Sequence, residues 1–210
     1  MLFQGGNAMK NVCPNCLLAA AAMAAILVPA AAHADEALRV TSAEVTVTCP
    51  LTIGGSFDAK TTAMTGSVTP DNGGAVKGTF AVELMKLETG ISLRDRHLRN
   101  NYLEVQKGAD FAVAKFENIK IQKLSGKTTF SGTLTLHGQQ RDIAGTADLQ
   151  QDGRTYKVDA SFPLKISAFQ IPEPTYLGVG VSDEISIHVV LTAAPGVART
   201  TTTTQSGSQN

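Results

Sequence analysis

From Ala43 to Cys49 the chain alternates strictly: Ala43, Val45, Val47 and Cys49 are apolar, and Glu44, Thr46 and Thr48 between them are polar. The same period of two returns four more times. Phe80, Val82 and Leu84 alternate with Ala81 and Glu83. Phe130, Gly132, Leu134 and Leu136 alternate with Ser131, Thr133, Thr135 and His137. Tyr156, Val158, Ala160, Phe162, Leu164 and Ile166 alternate with Lys157, Asp159, Ser161 and Lys165. Ile185, Ile187, Val189 and Leu191 alternate with Ser186 and His188. A strand points successive side chains to opposite faces, so this pattern predicts half-buried antiparallel strands. The Thr and Val content agrees. Further strands are expected at 53–59 through 64–69 and at 111–121. Turn chemistry separates them: Asp71 to Gly74 (DNGG) and Asp152-Gly153 are hairpin signals, and Gly126 and His137-Gly138 fit loops. About eight meandering strands hide their edges best by closing into a barrel. The expected fold class is therefore all-β, an eight-stranded antiparallel barrel.

One segment departs from period two. Near 92–103, Leu93 with His97 and Leu98 with Tyr102 stand four residues apart among charged residues, which predicts a short helix. Arg94, Arg96 and Arg99 place three guanidinium groups within six residues, beside Asp95 and His97. Arginine matches phosphate and carboxylate oxygens in bidentate fashion, so Arg94, Asp95, His97 and Arg99 are candidates for a head-group site or gate at a barrel mouth. The alternative is that Asp95 and the arginines pair with one another and fix the helix as a cap.

The N-terminus changes the picture of where the barrel works. Met9-Lys10, an apolar run from Leu17 to Val28, and Ala32-His33-Ala34 have the form of a secretory signal peptide cleaved before Asp35. Residues 1–34 are set aside on that ground, as is a tail of 195–210 whose five threonines, Thr200 to Thr204, lack apolar residues to bury. The domain expected to fold is 35–194, in the periplasm or secreted. The apolar run is too short for a membrane span. Export also removes Cys13 and Cys16, whose CxxC spacing otherwise suggests redox or metal chemistry. Cys49 remains alone, as a buried strand cysteine or as one half of an intermolecular disulfide, and a homodimer stays open as an assembly.

Charge and motifs narrow the function classes. Lys10 is the only charged side chain before Asp35, so of 18 basic and 18 acidic residues the mature chain keeps 17 and 18, a net −1. No basic block points to nucleic acid. His97, His137 and His188 survive processing; His137 and His188 fall on the polar face of their strands and are expected to point outward, with no metal-ligand spacing. No Gly-x-Ser-x-Gly elbow or phosphate-cradling glycine loop occurs. Neither a catalytic residue nor a metal nor a cofactor is expected.

Thr89-Gly90, then Arg94-Asp95 with His97-Leu98, then Gly132 through Gly138 (GTLTLHG), and the closing Ser182 to Ile187 (SDEISI) resemble the YceI-like family, over about Leu38 to Ala194. That resemblance implies a lipocalin-like periplasmic barrel, not an enzyme, that holds a polyisoprenoid or related amphiphile, such as an isoprenoid quinone or polyprenyl phosphate. Two stretches depart from the family pattern: Tyr102-Leu103-Glu104 where Phe-Phe-Asp is usual, and Lys107-Gly108-Ala109 where Lys-Tyr-Pro is usual. An eight-stranded barrel has room for its own side chains or for one slim ligand. The expected tunnel lining is Phe80, Val82, Leu84, Leu134, Leu136, Val158, Phe162, Ile187 and Val189, with Gly132, Gly145 and Ala160 adding room. The competing reading is a non-enzymatic structural or stress-related interaction module with a self-filled barrel.

Overall fold

The computed structural model describes residues 37–71, 75–176 and 178–196. The segment expected to be a signal peptide, with its CxxC, lies outside them, as does the tail from residue 197. In chain order the strands are β1 (Leu38–Pro50), β2 (Ser56–Thr61), β3 (Met64–Pro70), β4 (Ala75–Glu83), β5 (Val113–Ile121), β6 (Gly126–Leu136), β7 (Gln139–Asp152), β8 (Thr155–Lys165), the short β9 (Thr175–Tyr176) and β10 (Val179–Gly180), and β11 (Glu184–Pro195). β11 thus runs one residue past the expected end of the domain at Ala194.

The strands close on themselves. Their hydrogen-bonded order is β11-β8-β7-β6-β5-β4-β3-β1-β2, and β1 pairs back onto β11 from Leu38↔Pro195 to Thr48↔Ser186. β2 and β3 lie on the same side of β1, against its C-terminal and N-terminal parts respectively. They are two halves of one stave interrupted at Thr62-Ala63, which gives an eight-staved antiparallel barrel. Closure needs bends, and they fall where the registers slip. β5 slips against β4 between Val76 and Phe80 and against β6 between Glu117 and Lys120, with Gly78 at φ 129° and Asn118 at φ 54°.

Antiparallel alternation sorts the connections to two ends. One end carries the short turns after β3, β5 and β7. The other carries the connections 51–55, 84–112, 137–138 and 166–183. The connection 84–112 contains helix α1 (Ser92–His97), which continues as a wider turn over Leu98–Tyr102, and the single turn α2 (Ala109–Ala112). The predicted helix is present, and its faces divide: Leu98 is half-buried, while Leu93 and His97 are exposed.

Two expectations fail in instructive ways. His137 is not outward: only 7% of it is exposed. β6 ends at Leu136, and Leu136 pairs with Gln139, so His137 and Gly138 form a two-residue turn with φ of 51° and 70°. Both values are positive, as the hairpin turn that matches strand twist requires, and period two no longer sets the direction of His137. Gly132 and Gly145 do not add room either. A Cβ on Gly132 would lie 2.5 Å from the Phe116 ring, and one on Gly145 would meet the Ser161 carbonyl and the Phe130 ring. The glycines are the floor on which phenylalanines lie. Phe116, Phe130 and Phe162 stack edge-to-face with successive centroids 6.0 Å apart, an aromatic ladder inside the barrel.

Candidate functional site

The barrel interior is not filled. A cavity of about 290 Å³ runs inside it, and the wall turns only apolar atoms toward the space, the tyrosines Tyr102 and Tyr156 through their rings. All nine residues expected to line a tunnel, from Phe80 to Val189, are on that wall. Along β11 the inward residues Ile185, Ile187, Val189, Leu191 and Ala193 all contribute. At ~3.4 Å per residue and a tilt near ~40°, that spans roughly 20 Å of the barrel axis. The space is therefore long and slim. Its openness also explains an otherwise odd burial pattern. Val47, Val82, Ala114, Phe162 and Val189 point inward yet are only half-buried, because each faces the void. The apolar face points in and the charged face out, the reverse of a membrane-spanning barrel.

The helical end closes over this cavity with Leu87, Leu98, Tyr102 and Leu103 on one side and Ile171 and Val181 on the other. Cys49 lies on the same wall as a free thiol, 9% exposed. Burial, with the Asp58 carboxylate, pushes its pKa up to about 11, against a smaller opposing effect of Arg94. A thiol so raised and so placed is an inert wall residue.

The four charged candidates separate into two roles. Asp95 is 6% exposed, and one of its oxygens accepts hydrogen bonds from the Thr89 N–H and hydroxyl, both at 2.6 Å. Arg99 donates from Nε to the Asp95 carbonyl at 3.1 Å and from a terminal nitrogen to the Met85 carbonyl at 2.8 Å. These two tie α1 to the segments before it. Arg94 is committed to no such bond. Its guanidinium carbon sits 4.3 Å from the centroid of Phe57, a cavity-wall residue, and it has no hydrogen-bond or ion-pair partner among the described residues. His97 is exposed and likewise without a described partner.

Burial alone would raise the Asp95 carboxyl, but the two Thr89 hydrogen bonds, with Arg99 and Arg94 nearby, outweigh it and hold the group below the usual carboxylate range. A folded-state pKa below the unfolded one means stability that is fully present above about pH 4 and is lost as pH falls through the folded value. Asp95→Asn is expected to cost about 1–2 kcal/mol at neutral pH. Thermal melts across pH check this: the gap from the parent chain should narrow below about pH 4.

A second polar group was not legible in the sequence. His137 Nδ1 lies 3.0 Å from the Phe169 carbonyl and Nε2 lies 3.1 Å from Glu104 Oε2, whose other partner is Lys107 Nζ at 2.7 Å. Phe111 packs edge-on to the imidazole at 4.8 Å. Glu104, His137 and Gln170 all have positive φ, so three strained residues converge where 104–107, the β6–β7 turn and the turn after β8 meet. The hydrogen bond and charge of Lys107 hold Glu104 below its usual range, with His137 adding to the effect. The group fastens the cap to the barrel rim. The one sequence signal for it is a histidine, rather than Asn or Gly, opening a two-residue turn.

Among the described residues there is no cluster of three metal-ligating side chains and no helix long and apolar enough to cross a membrane. A family model described as the YceI-like domain matches residues 33–193. No significant match is found among curated proteins. The fold is similar to the crystal structure of Burkholderia cenocepacia BcnA, at 18% identity and TM-score 0.61, over 72% of this chain and 96% of that one. It is similar also to a polyisoprenoid binding domain from Saccharophagus degradans implicated in plant cell wall breakdown, at 14% identity and TM-score 0.57, over 77% of this chain and 99% of that one. At such identities the likeness is one of fold.

Proposed function

The chain belongs to the YceI-like family, and on that footing we propose that it is a non-enzymatic periplasmic carrier whose barrel holds one long-chain lipid, of the isoprenoid quinone or polyprenyl phosphate type. The observation that carries this reading is the long void with a wholly apolar wall. Each methylene moved from water into such a wall contributes about 0.8 kcal/mol, so a long prenyl chain needs few polar contacts to be held. The Saccharophagus degradans domain of the same fold is described as polyisoprenoid binding, which fits a chain-shaped ligand. The signal-like segment ending at Ala34 supports export to the periplasm. The half-buried inward residues weigh against the self-filled module, whose inward side chains would be packed against one another.

Arg94 is the residue we assign to the ligand head group, with the exposed His97 beside it and Asp95 and Arg99 holding the helix in place. An unpaired guanidinium against a wall aromatic is positioned to meet a phosphate or carboxylate as the chain enters the cavity. The test compares two fluorescent amphiphiles of equal chain length, one anionic and one neutral. Arg94→Ala is expected to weaken the anionic probe about tenfold and leave the neutral one unchanged. The melting temperature should move little, since a half-buried cation–π contact such as Arg94 on Phe57 contributes only about 1 kcal/mol. Equal loss of both probes, or a large drop in stability, would make Arg94 part of the cap instead.

A further inference from the structure

The two ends of the barrel differ in what they show to solvent. Five large apolar side chains are exposed among the described residues, and four are on connections at the helical end. Ile53 is 72% exposed on the β1–β2 connection; Leu93 is 53% and Ile91 50% exposed at the start of α1; Met85 precedes them on the same connection. The fifth, Val190, lies on the barrel wall. None of the four lines the cavity. Single exposed apolar residues are ordinary, but a set confined to one end calls for a partner there.

Cations are interleaved with them. Lys86 follows Met85, and Arg94 and Arg96 follow Leu93; Lys86 and Arg96 are exposed, and neither has a described partner. Against these stand the exposed Glu83, Glu88 and Asp110 on and beside the same connection and the exposed Glu173 on the 166–183 connection, while Asp95 is buried and engaged by Thr89, so the basic excess is confined to α1 and its continuation. Over the helical segment Ser92–Asn101 the charge is three arginines to one aspartate. Apolar residues interspersed with basic ones on one short element are the chemistry of an interfacial segment, whose side chains enter the acyl boundary while its cations meet lipid phosphates. This end also carries Arg94, which rests on the cavity-wall residue Phe57.

We propose that the helical end docks on an anionic bilayer surface through Ile53, Met85, Ile91 and Leu93, with Lys86 and Arg96 on the lipid phosphates. This rests on the carrier reading and adds where the lipid is collected: a prenyl chain leaving the bilayer passes Arg94 without crossing open water. Protein and ligand then meet on the membrane rather than in solution.

Co-sedimentation with vesicles of phosphatidylcholine, with and without phosphatidylglycerol, tests the surface using the purified chain. Binding is expected only with phosphatidylglycerol and should weaken as salt is raised. Ile91→Glu with Leu93→Glu should reduce it about tenfold or more, while Val190→Glu on the barrel wall leaves it unchanged. Binding of a fluorescent fatty-chain probe in solution is followed in parallel. If the parent chain takes the probe but ignores anionic vesicles, or if the double variant still sediments, docking is overturned and the carrier reading stands. If the parent chain refuses the probe, the carrier reading fails whatever the vesicles do. A third contrary result is a dimer by light scattering that Ile91→Glu with Leu93→Glu converts to monomer, which would assign the patch to a second copy of the chain.

Discussion

Val82→Phe combined with Ala114→Phe is expected to abolish lipid-probe binding, by at least about tenfold or 1.4 kcal/mol, while leaving the barrel as stable as before or more so. Val82 and Ala114 are direct partners across β4 and β5, both on the cavity wall and both only half-buried. Two phenyl rings placed there enter the void instead of displacing neighbours. They bury new apolar surface and remove empty volume, which is the usual route by which filling a cavity stabilises a protein at the expense of function. A self-filled barrel predicts the opposite sign. Overpacking it would cost about 1–3 kcal/mol per site, and no probe would bind in the first place. Thermal melts and probe titrations on the same samples separate the two.

Gly145→Val is expected to be the most damaging single substitution on the inner face. Gly145 is the register partner of Phe130, and the new Cβ would collide with the Ser161 carbonyl on β8, 2.8 Å from the Phe130 ring and 2.8 Å from the Phe162 Cβ. The ring tips can swing, but the carbonyl belongs to a paired strand and cannot. The expected loss is about 3 kcal/mol, the upper end for overpacking, which for a domain of this size is roughly 6–12 °C in melting temperature. Chemical denaturation measures it. A near-neutral result would mean that β7 and β8 part more easily here than their ladder implies.

These two sites mark what the sequence reveals and what it hides. Period two alone assigns Val82, Leu134, Val158 and Val189 to the inner face, because the pleat fixes the face of every residue once one is known. It says nothing about which inner residues touch. Gly132 and Gly145 read as open space because a missing side chain in a list of side chains is a gap. In the barrel the neighbouring strands bring Phe116 and Phe130 across them. The Arg94–Arg99 cluster was legible as chemistry but not as geometry. Helical spacing places the charges on one short element without saying that Thr89 would engage Asp95, that the Met85 carbonyl would take Arg99, or that Arg94 would be left over. The His137–Glu104 contact joins residues 33 positions apart across a turn, and no local pattern encodes it.

The central claim is that the apolar void holds a lipid. Native mass spectrometry of the chain purified without detergent, followed by organic extraction, tests it most directly. The account predicts about one isoprenoid or other long-chain lipid per chain, absent from Val82→Phe with Ala114→Phe prepared the same way. A parent chain of bare polypeptide mass with no extractable lipid, which also fails to take up added prenyl chains, would contradict it.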